Sequence, residues 1–306
     1  MNYRYISEIK VDIENISKLH IGTGEERILL DDEREKAYMP ATSIAGTFRS
    51  YLEQNDGKDS IKRLFGYQEK DRNYKSKVFI SDAFANLKEN SICIMPSIKI
   101  DSKTGASEKH SKFEREYLNE GHKFELKLKI ISSEEDKKLN LEMIYKCLKA
   151  LDNGEILIGG YTTYGAGQFK VKEAKQREYD LYNVDDFIRY LKKENLKYNN
   201  ILEDIKKTDI TNNFVEFEVN AKIEDPMLIG GQNQNDYEKP DKENIKDSNG
   251  NYIIPGSSLK GVFRQRARKI LYYLNKRELL EYIFGTEFNE SNNEDMERSR
   301  VFLKME

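Results

Sequence analysis

The sequence has few of the residues that mark secreted, zinc-binding or membrane proteins. It contains two cysteines, three histidines, five prolines and no tryptophan. Cys93 and Cys147 have no motif spacing, which favours buried thiols in a reducing cytoplasm over a disulfide framework. The histidines and cysteines are too few and too scattered for a zinc cluster. No apolar run approaches the roughly 20 residues that span a bilayer, and the N-terminus lacks a signal-peptide core. We therefore expect a cytoplasmic protein with no membrane partner.

The charges are nearly balanced, so composition alone gives no sign of nucleic-acid binding. Lys and Arg number 51 against 54 Asp and Glu, for a formal net charge of −3. Any surface that binds nucleic acid must then be a local patch. At roughly 150 residues per domain, the 306 residues suggest about two domains. An aromatic content of 11% excludes a wholly disordered chain.

An internal repeat is the main organising feature of the sequence. Residues 40–49 read PATSIAGTFR and residues 255–264 read PGSSLKGVFR, with Pro, Ser, Gly, Phe and Arg in matching places. Three further segments match in the same order, namely 19–26 with 227–234, 63–67 with 282–286, and 77–81 with 300–304. An ordered series of this kind predicts a duplicated domain.

The first copy predicts an α+β fold of the ferredoxin-like, RRM-like type. Alternating and β-branched residues predict strands, and apolar residues at helical spacing predict helices. In order, the expected elements are a strand over 5–21, a helix capped by Ser43, strands over 77–83 and 123–131, a helix opening at Ser133, and a strand over 167–174. This β-α-β-β-α-β order is the ferredoxin-like plan. Residues 85–120 are long for a hairpin connection and predict a protruding excursion.

The rest of the chain predicts a linker and a second, apparently incomplete copy. The first domain is expected over 1–174 and includes the excursion over 85–120. Residues 175–213 are interpreted as a charged, partly helical linker whose charges form a solvated face. The second domain, 214–306, opens with an alternating strand, FVEFEVNAKI, but has no counterparts of strands three and four or of helix two. Either the sequence is a fragment, the alternative we favour, or a partner completes the domain.

The two repeated helix starts predict phosphate-binding sites. Hydroxyl side chains lie at each helix N-terminus, where free N–H groups and the helix dipole favour an anion. A glycine three residues further on is costly in a helix and is expected where a ligand or backbone approaches closely. An arginine one turn later can hold phosphate bidentately. A capped helix with a surface arginine is the competing interpretation, but recurrence favours binding. The predicted phosphate-binding residues are Ser43, Gly46, Arg49, Ser257, Ser258, Lys260, Gly261 and Arg264.

A glycine-rich loop, GGYTTYGAGQF over 159–169, is the third candidate for binding phosphates and bases. Exposed N–H groups in such loops bind phosphates, and tyrosine rings stack on bases. The loop lacks the Lys-Ser/Thr of a P-loop, and no GxGxxG follows a strand, so no nucleotide cofactor is expected. The alternative is a flexible turn between a helix and a strand. The predicted contacts are Gly159, Gly160, Tyr161, Tyr164, Gly165 and Gly167.

Taken together, these motifs resemble the RAMP superfamily of CRISPR-associated proteins. The IG-x-G, the Pro-x-Ser/Thr-Ser helix start, the FG, the VFIS-D-A strand and the GGYTTYGAG loop carry the resemblance, which is nearest to the repeating backbone subunits of type III antiviral effector complexes. Residues 98–124 resemble the thumb that inserts between guide and target RNA. The resemblance implies three kinds of partner: guide RNA, target single-stranded RNA and other CRISPR effector subunits. Two fused copies resemble a multi-RAMP subunit.

The resemblance also implies a candidate catalytic residue, Asp241. In catalytic members, an Asp cleaves target RNA with a divalent metal such as Mg²⁺ and stands six positions before the second residue of a short pair preceding Pro-Gly-Ser-Ser. Here Lys246-Asp247 occupies the pair position, which gives Asp241 as the predicted catalytic and metal-binding residue. In the first copy, aligning Asp32 with Asp247 gives Glu26, a weaker candidate because its loop is shorter and lacks the Arg. The alternative for Asp241 is an acidic loop residue that is exposed to solvent and has no catalytic role.

Two other roles stay open at this point. The chain can be a structural RAMP subunit that does not cut RNA. It can also be a metal-independent endoribonuclease that processes guide RNA, with His20, Tyr161 or Tyr164 as general acid or base. Against the latter, Leu228 stands in the position that matches His20, so the histidine is not repeated.

Overall fold

A computed structural model describes residues 3–22, 26–31, 33, 35–69, 72–100, 107–194, 196–210, 215–232, 242–247, 250–286 and 299–303. The strands are β1 (Tyr5–Asn15), β2 (Leu30–Asp31), β3 (Lys36–Met39), β4 (Tyr67–Glu69), β5 (Arg72–Tyr74), β6 (Val78–Ile80), β7 (Ala83–Asn86), β8 (Ile92–Ile100), β9 (Ser107–Leu118), β10 (Lys123–Ser132), β11 (Phe169–Asp180), β12 (Asn199–Asn200), β13 (Gly230–Gln232) and β14 (Lys242–Asn244). The helices are α1 (Ala41–Asn55), α2 (Lys58–Phe65), α3 (Lys137–Asn153), α4 (Val184–Leu191), α5 (Leu202–Lys207), α6 (Gly256–Tyr273) and α7 (Glu278–Phe284), with a 3₁₀ turn over Thr162–Tyr164.

A five-stranded antiparallel sheet forms the centre of the molecule. Its order is β12-β11-β1-β10-β6, so the four predicted strands lie in the order fourth, first, third, second. Strand β1 is central because its alternating residues bury Ile9, Val11 and Ile13 on one face. It pairs with β10 along one edge and with β11 along the other. The predicted α+β fold is confirmed.

Helices α1 and α3 cover the apolar face of this sheet at the spacing that the sequence predicts. Phe48 and Leu52 of α1 and Met143 and Leu148 of α3 are buried. The predicted start residues are wrong. Helix α1 begins directly after Pro40, so Ser43 lies inside the first turn and makes no capping hydrogen bond. Helix α3 begins four residues after Ser133, because the Ser133 N–H donates to Asp136 Oδ1 at 2.7 Å and closes a turn before the helix.

Residues beyond 174 add to the first sheet. Strand β11 continues to Asp180 instead of ending near 174, and β12 pairs with it. Ile201 and Ile205 are buried in the core. The helical part of the segment 175–213 consists of two short helices, α4 and α5, with β12 between them. Part of the segment interpreted as a linker therefore packs against the first copy.

The predicted opening strand of the second copy is not formed. Residues 215–229 are described, but they carry no strand, and Phe217 and Val219 are 84% and 78% exposed. Their counterparts in the first copy, Ile9 and Val11, are buried because β1 has a paired neighbour on each edge. Within the described part of the chain, residues 215–223 pair with no strand. An alternating pattern alone does not stabilise a strand without such neighbours. Whether the chain is a tandem of two RAMP domains stays a prediction.

A long antiparallel hairpin, β8–β9, occupies the segment predicted to protrude. A buried polar network ties its base to the end of β1. The Asn15 side chain donates to the Asn119 carbonyl at 2.8 Å, and His122 Nε2 lies 2.8 Å from Ser91 Oγ. These hydrogen bonds fix the hairpin relative to the sheet, which matters because β9 supplies a side chain to the candidate site.

Candidate nucleic-acid interface

The glycine-rich loop packs tightly against the segment that follows β1. The Gly160 N–H donates to the His20 carbonyl at 2.7 Å, and the Gly167 N–H donates to the Lys18 carbonyl at 2.8 Å. A Cβ at Gly159 would lie 2.4 Å from the His20 oxygen, and both Gly159 and Gly167 have positive φ. These two glycines are therefore required by close backbone packing.

The group that this loop exposes for binding is an aromatic ring, not a set of free glycine N–H groups. The N–H of Gly165 donates to the Thr162 carbonyl at 3.1 Å, and those of Gly160 and Gly167 are also bonded within the chain. The expected cradle of exposed glycine N–H groups is therefore not formed by these three residues. What the loop presents outward is the ring of Tyr164, which is 37% exposed.

Tyr161 is the strained residue of this loop. Its φ of 58° is left-handed, a conformation that costs a residue with a side chain about 1–2 kcal/mol. Its ring centroid lies 5.0 Å from that of His20 and 6.0 Å from that of Tyr117, and the Arg115 guanidinium sits 4.0 Å above it. Burial raises the pKa of Tyr117 to about 12. The Tyr164 ring is nearly parallel to that of Tyr161, at 13° and 6.4 Å between centroids.

His20 belongs to the packing of this cluster. It is buried, and its Nδ1 lies 2.7 Å from the Glu116 carbonyl. Because a carbonyl oxygen only accepts, Nδ1 carries the proton in this hydrogen bond. The ring therefore anchors strand β9 and supports Tyr161, which favours a structural role for His20.

The loop of the first copy meets the helix start of the second. A Cβ at Gly256, the first residue of α6, would lie 2.2 Å from the Tyr164 carbonyl oxygen, and one at Gly165 would lie 2.8 Å from the Leu303 oxygen. We call this region, residues 159–167 and 255–264, the loop–helix seam. It brings together the predicted residues of the loop and of the second motif. These are 90 positions apart at the least, from Gly167 to Ser257, and 105 at the most, from Gly159 to Arg264.

Lys260 is the unusual charge at this seam. It is only 7% exposed, and its ammonium lies 5.1 Å above the Tyr164 ring. No carboxylate pairs with it in the part of the chain that the structure describes. Burial and the neighbouring Arg264 lower the pKa of Lys260 to about 8. An ammonium buried without a counter-charge is costly, so the seam is suited to an anion.

The remaining residues of the second motif surround Lys260. Ser257 and Ser258 are exposed in the first turn of α6, which has no side-chain cap. Arg264 Nη1 donates to the Gly285 carbonyl at 3.1 Å, so this guanidinium links α6 to the end of α7. Gly261 faces open space, with no described atom within 4 Å of the point where a Cβ would lie. The exposed hydroxyls and the buried ammonium thus lie on the same end of α6.

The first helix start differs in its electrostatics. Asp82 Oδ1 accepts a hydrogen bond from the Ala41 N–H at 2.7 Å, and Asp82 Oδ2 accepts one from the Tyr38 hydroxyl at 3.1 Å. The protein's own carboxylate therefore occupies the N-terminus of α1, where the sequence suggests a phosphate. Ala45 stands in the place of Lys260. The two motifs, alike in sequence, are not equivalent as anion sites.

Three predicted contacts lie along α1 itself. Ser43 is half-buried, whereas Gly46 and Arg49 are exposed. As at Gly261, no described atom lies within 4 Å of where a Cβ of Gly46 would be. The glycine that was expected to admit a close backbone therefore admits none from the described chain, and the helix surface is open there.

Of the two candidate catalytic residues, Glu26 lies within the described residues and Asp241 does not. Asp247, which fixes the alignment of Asp241, accepts a hydrogen bond from the Asn251 N–H in a turn before α6. Glu26 is exposed, and its Oε1 lies 3.9 Å from Arg115 Nε. Among the residues that the structure places, no three His, Cys, Asp or Glu side chains are grouped to hold a metal ion.

Sequence reasoning missed Arg115, the residue of β9 that reaches the loop. Arg115 and Tyr117 are two positions apart on one strand and therefore share a face. That face contacts Tyr161, but the alternation KFEREYL does not reveal which loop it meets.

One family matches the chain over most of its length. The model of the RAMP superfamily matches residues 12–170 and 220–304, which together exceed half of the chain. The first range contains the glycine-rich loop and the second contains the start of α6. No curated protein matches the sequence. In the described residues, every helix is too short or too polar to cross a membrane.

Proposed function

Because the chain belongs to the RAMP superfamily, we propose that it is a CRISPR-associated RNA-binding protein whose RNA strand lies along the loop–helix seam. The observation that carries the proposal is Lys260, a buried residue whose ammonium has no described counter-charge and lies beside an exposed tyrosine ring. An RNA phosphate supplies the missing charge, and a base supplies a partner for the ring.

The chemistry of the α6 start is well suited to a phosphodiester. The first-turn N–H groups carry the positive end of the helix dipole, and Ser257 and Ser258 add hydroxyl donors. Lys260 contributes a charge from within a site that is partly shielded from water, where electrostatic attraction is stronger. Contacts of this kind hold the backbone of RNA and do not distinguish its bases.

The assignment to a particular type of effector complex follows the family resemblance. We propose a guide-RNA-binding backbone subunit of a type III antiviral effector complex, with target single-stranded RNA and the other effector subunits as partners. The repeated helix-start motif, at 40–49 and 255–264, supports this assignment. Cleavage of target RNA by a divalent metal at Asp241 is part of the same proposal, and the carboxylate of that residue is chemically suited to bind Mg²⁺.

The first test is RNA binding at different salt concentrations. For the full chain and a labelled single-stranded RNA, we expect the logarithm of affinity to fall linearly with the logarithm of salt, by about 0.7 per phosphate contact. Lys260→Gln is expected to weaken binding about tenfold at low salt and pH 7, and to flatten the salt dependence by about one contact. A change of guide sequence at constant salt is expected to matter little.

A matched lysine on another surface serves as the control. Lys206 lies on α5, is half-exposed and pairs with Glu203 at 3.1 Å. Lys206→Gln removes the same charge and is expected to leave RNA affinity within about twofold of the wild type. Equal losses for both variants would mean that net charge, not the seam, governs binding.

The lowered pKa of Lys260 predicts a pH dependence of binding. Among the residues that the structure describes, the groups that face this ammonium are Arg264 on its own helix and Tyr164 on the loop. A bound phosphate favours the charged form, so the pKa in the complex lies above the value of about 8 in the free protein. Affinity is therefore constant below about pH 7 and falls as the pH rises through 8. In Lys260→Gln this decline is expected to disappear; a decline that persists would assign the titration to another group.

A further inference from the structure

The left-handed backbone conformation of Tyr161 indicates that its ring has a functional role. The loop places glycine at its other left-handed positions, Gly159, Gly165 and Gly167, but a tyrosine at 161 with φ 58°. A glycine there would adopt this conformation without strain. Strain of this kind persists where the surrounding structure needs the side chain, and it is concentrated at binding sites.

The ring of Tyr161 forms one layer of a stack that starts on the hairpin. The Arg115 guanidinium lies 4.2 Å from the centroid of Phe113 and 4.0 Å from that of Tyr161, so aromatic rings pack against it from two residues. His20 and Tyr117 support the same ring from the core. Tyr161 is thereby held in one orientation.

Tyr164 is the next and outermost layer. Its ring is inclined by only 13° to that of Tyr161, and 37% of the residue is exposed to solvent. The Lys260 ammonium lies 5.1 Å from its centroid. An exposed aromatic side chain and the ammonium of a buried lysine are thus adjacent. A nucleotide has the complementary pair of groups, a planar base and a phosphate joined through one sugar.

We propose that Tyr164 stacks on a nucleobase of single-stranded RNA while the phosphate of the same nucleotide lies on Lys260. Tyr161 and Arg115 are positioning residues that fix the plane of the Tyr164 ring. The inference rests on the proposed RNA binding and adds to it a defined one-nucleotide site. Because every base has a π-face, the site accepts all four bases.

The absence of tryptophan from the chain allows a direct test. Tyr164→Trp introduces a single indole at the stacking position. Titration of the full-length variant with single-stranded RNA is expected to quench its fluorescence saturably, whether the RNA is an oligo-A or an oligo-U. An abasic oligonucleotide with the same number of phosphates is expected to cause no quenching, and AMP tests whether a free nucleotide suffices.

Tyr182 provides the matched control. It is another exposed tyrosine, 61% accessible, with the Arg4 guanidinium 5.3 Å from its ring, and it lies outside the seam. The fluorescence of Tyr182→Trp is expected to show no quenching by RNA. In affinity measurements, Tyr164→Leu is expected to bind RNA about tenfold more weakly, Tyr164→Phe like the wild type, and Tyr182→Leu like the wild type.

The positioning role has its own readout. Adding Tyr161→Leu to Tyr164→Trp is expected to reduce RNA-induced quenching, and Tyr161→Phe in its place is expected to restore it. Wild-type RNA binding with neither quenching at position 164 nor a loss in Tyr164→Leu would overturn the stacking site and leave the proposed function intact. No RNA binding by the wild type would instead reject the proposed function itself.

Discussion

Gly167→Ala is expected to destabilise the protein by about 3 kcal/mol, a large effect for the addition of one methyl group. Gly167 has a φ of +82°, and a Cβ there would lie 2.2 Å from the Ile158 carbonyl oxygen. The substitution therefore adds a backbone clash to the left-handed strain. Because the loop cannot move without breaking the hydrogen bond from the Gly167 N–H to the Lys18 carbonyl, relaxation is costly. Urea unfolding monitored by circular dichroism measures the difference.

A substitution at Gly121 measures the conformational strain without the steric clash. Its φ is +84°, almost the same as that of Gly167, but no described atom lies within 4 Å of a Cβ at that position. Gly121→Ala is expected to cost only the conformational strain, about 1 kcal/mol. If both variants lose the same free energy of unfolding, the close packing of Gly167 against the Ile158 carbonyl is contradicted.

The largest functional effect is expected for Asp241→Ala in the assembled effector complex. If Asp241 binds the metal, its loss removes Mg²⁺-dependent cleavage of target RNA. Losing a direct ligand is expected to cost more than the roughly 10- to 100-fold that losing a supporting outer-shell residue costs. Cleavage of a labelled RNA complementary to the guide, compared in Mg²⁺ and in EDTA, gives the result. RNA binding at the seam is expected to be unchanged.

A neighbouring acid controls for the charge of this loop. Glu243 lies two positions away on β14, where it faces Gly231 across the strand pair. Glu243→Ala removes a similar charge and is expected to retain full cleavage. If cleavage in Mg²⁺ is the same in Asp241→Ala and the wild type, the catalytic assignment is wrong and the chain is a structural subunit.

The local patterns of the sequence predict the first sheet well because each element is amphipathic by itself. The alternation around Val11 and the helical spacing around Phe48 are each decided by burial on a single face. The start of α3 is less predictable, since the turn closed by Ser133 and Asp136 depends on side-chain hydrogen bonding. Residues near Phe217 show the opposite failure. Their alternation is as clear as that of β1, but a strand also needs paired neighbours.

The candidate site depends on contacts that no local pattern contains. The repeat identifies Lys260 and the glycine-rich loop identifies Tyr164, but only the fold places them 5.1 Å apart. The difference between the two helix starts is likewise invisible in the motifs. It arises from Asp82, which reaches Ala41 from a strand end 41 positions away in the chain.

Photo-crosslinking is the most direct test of the loop–helix seam. The full chain is bound to single-stranded RNA containing 4-thiouridine, irradiated and digested, and the crosslinked peptides are identified by mass spectrometry. We expect crosslinks within 159–167 and 255–264, and none within 40–49, where Asp82 occupies the helix start. Crosslinks at 40–49 with none at the seam would contradict the central claim that RNA lies along the loop–helix seam.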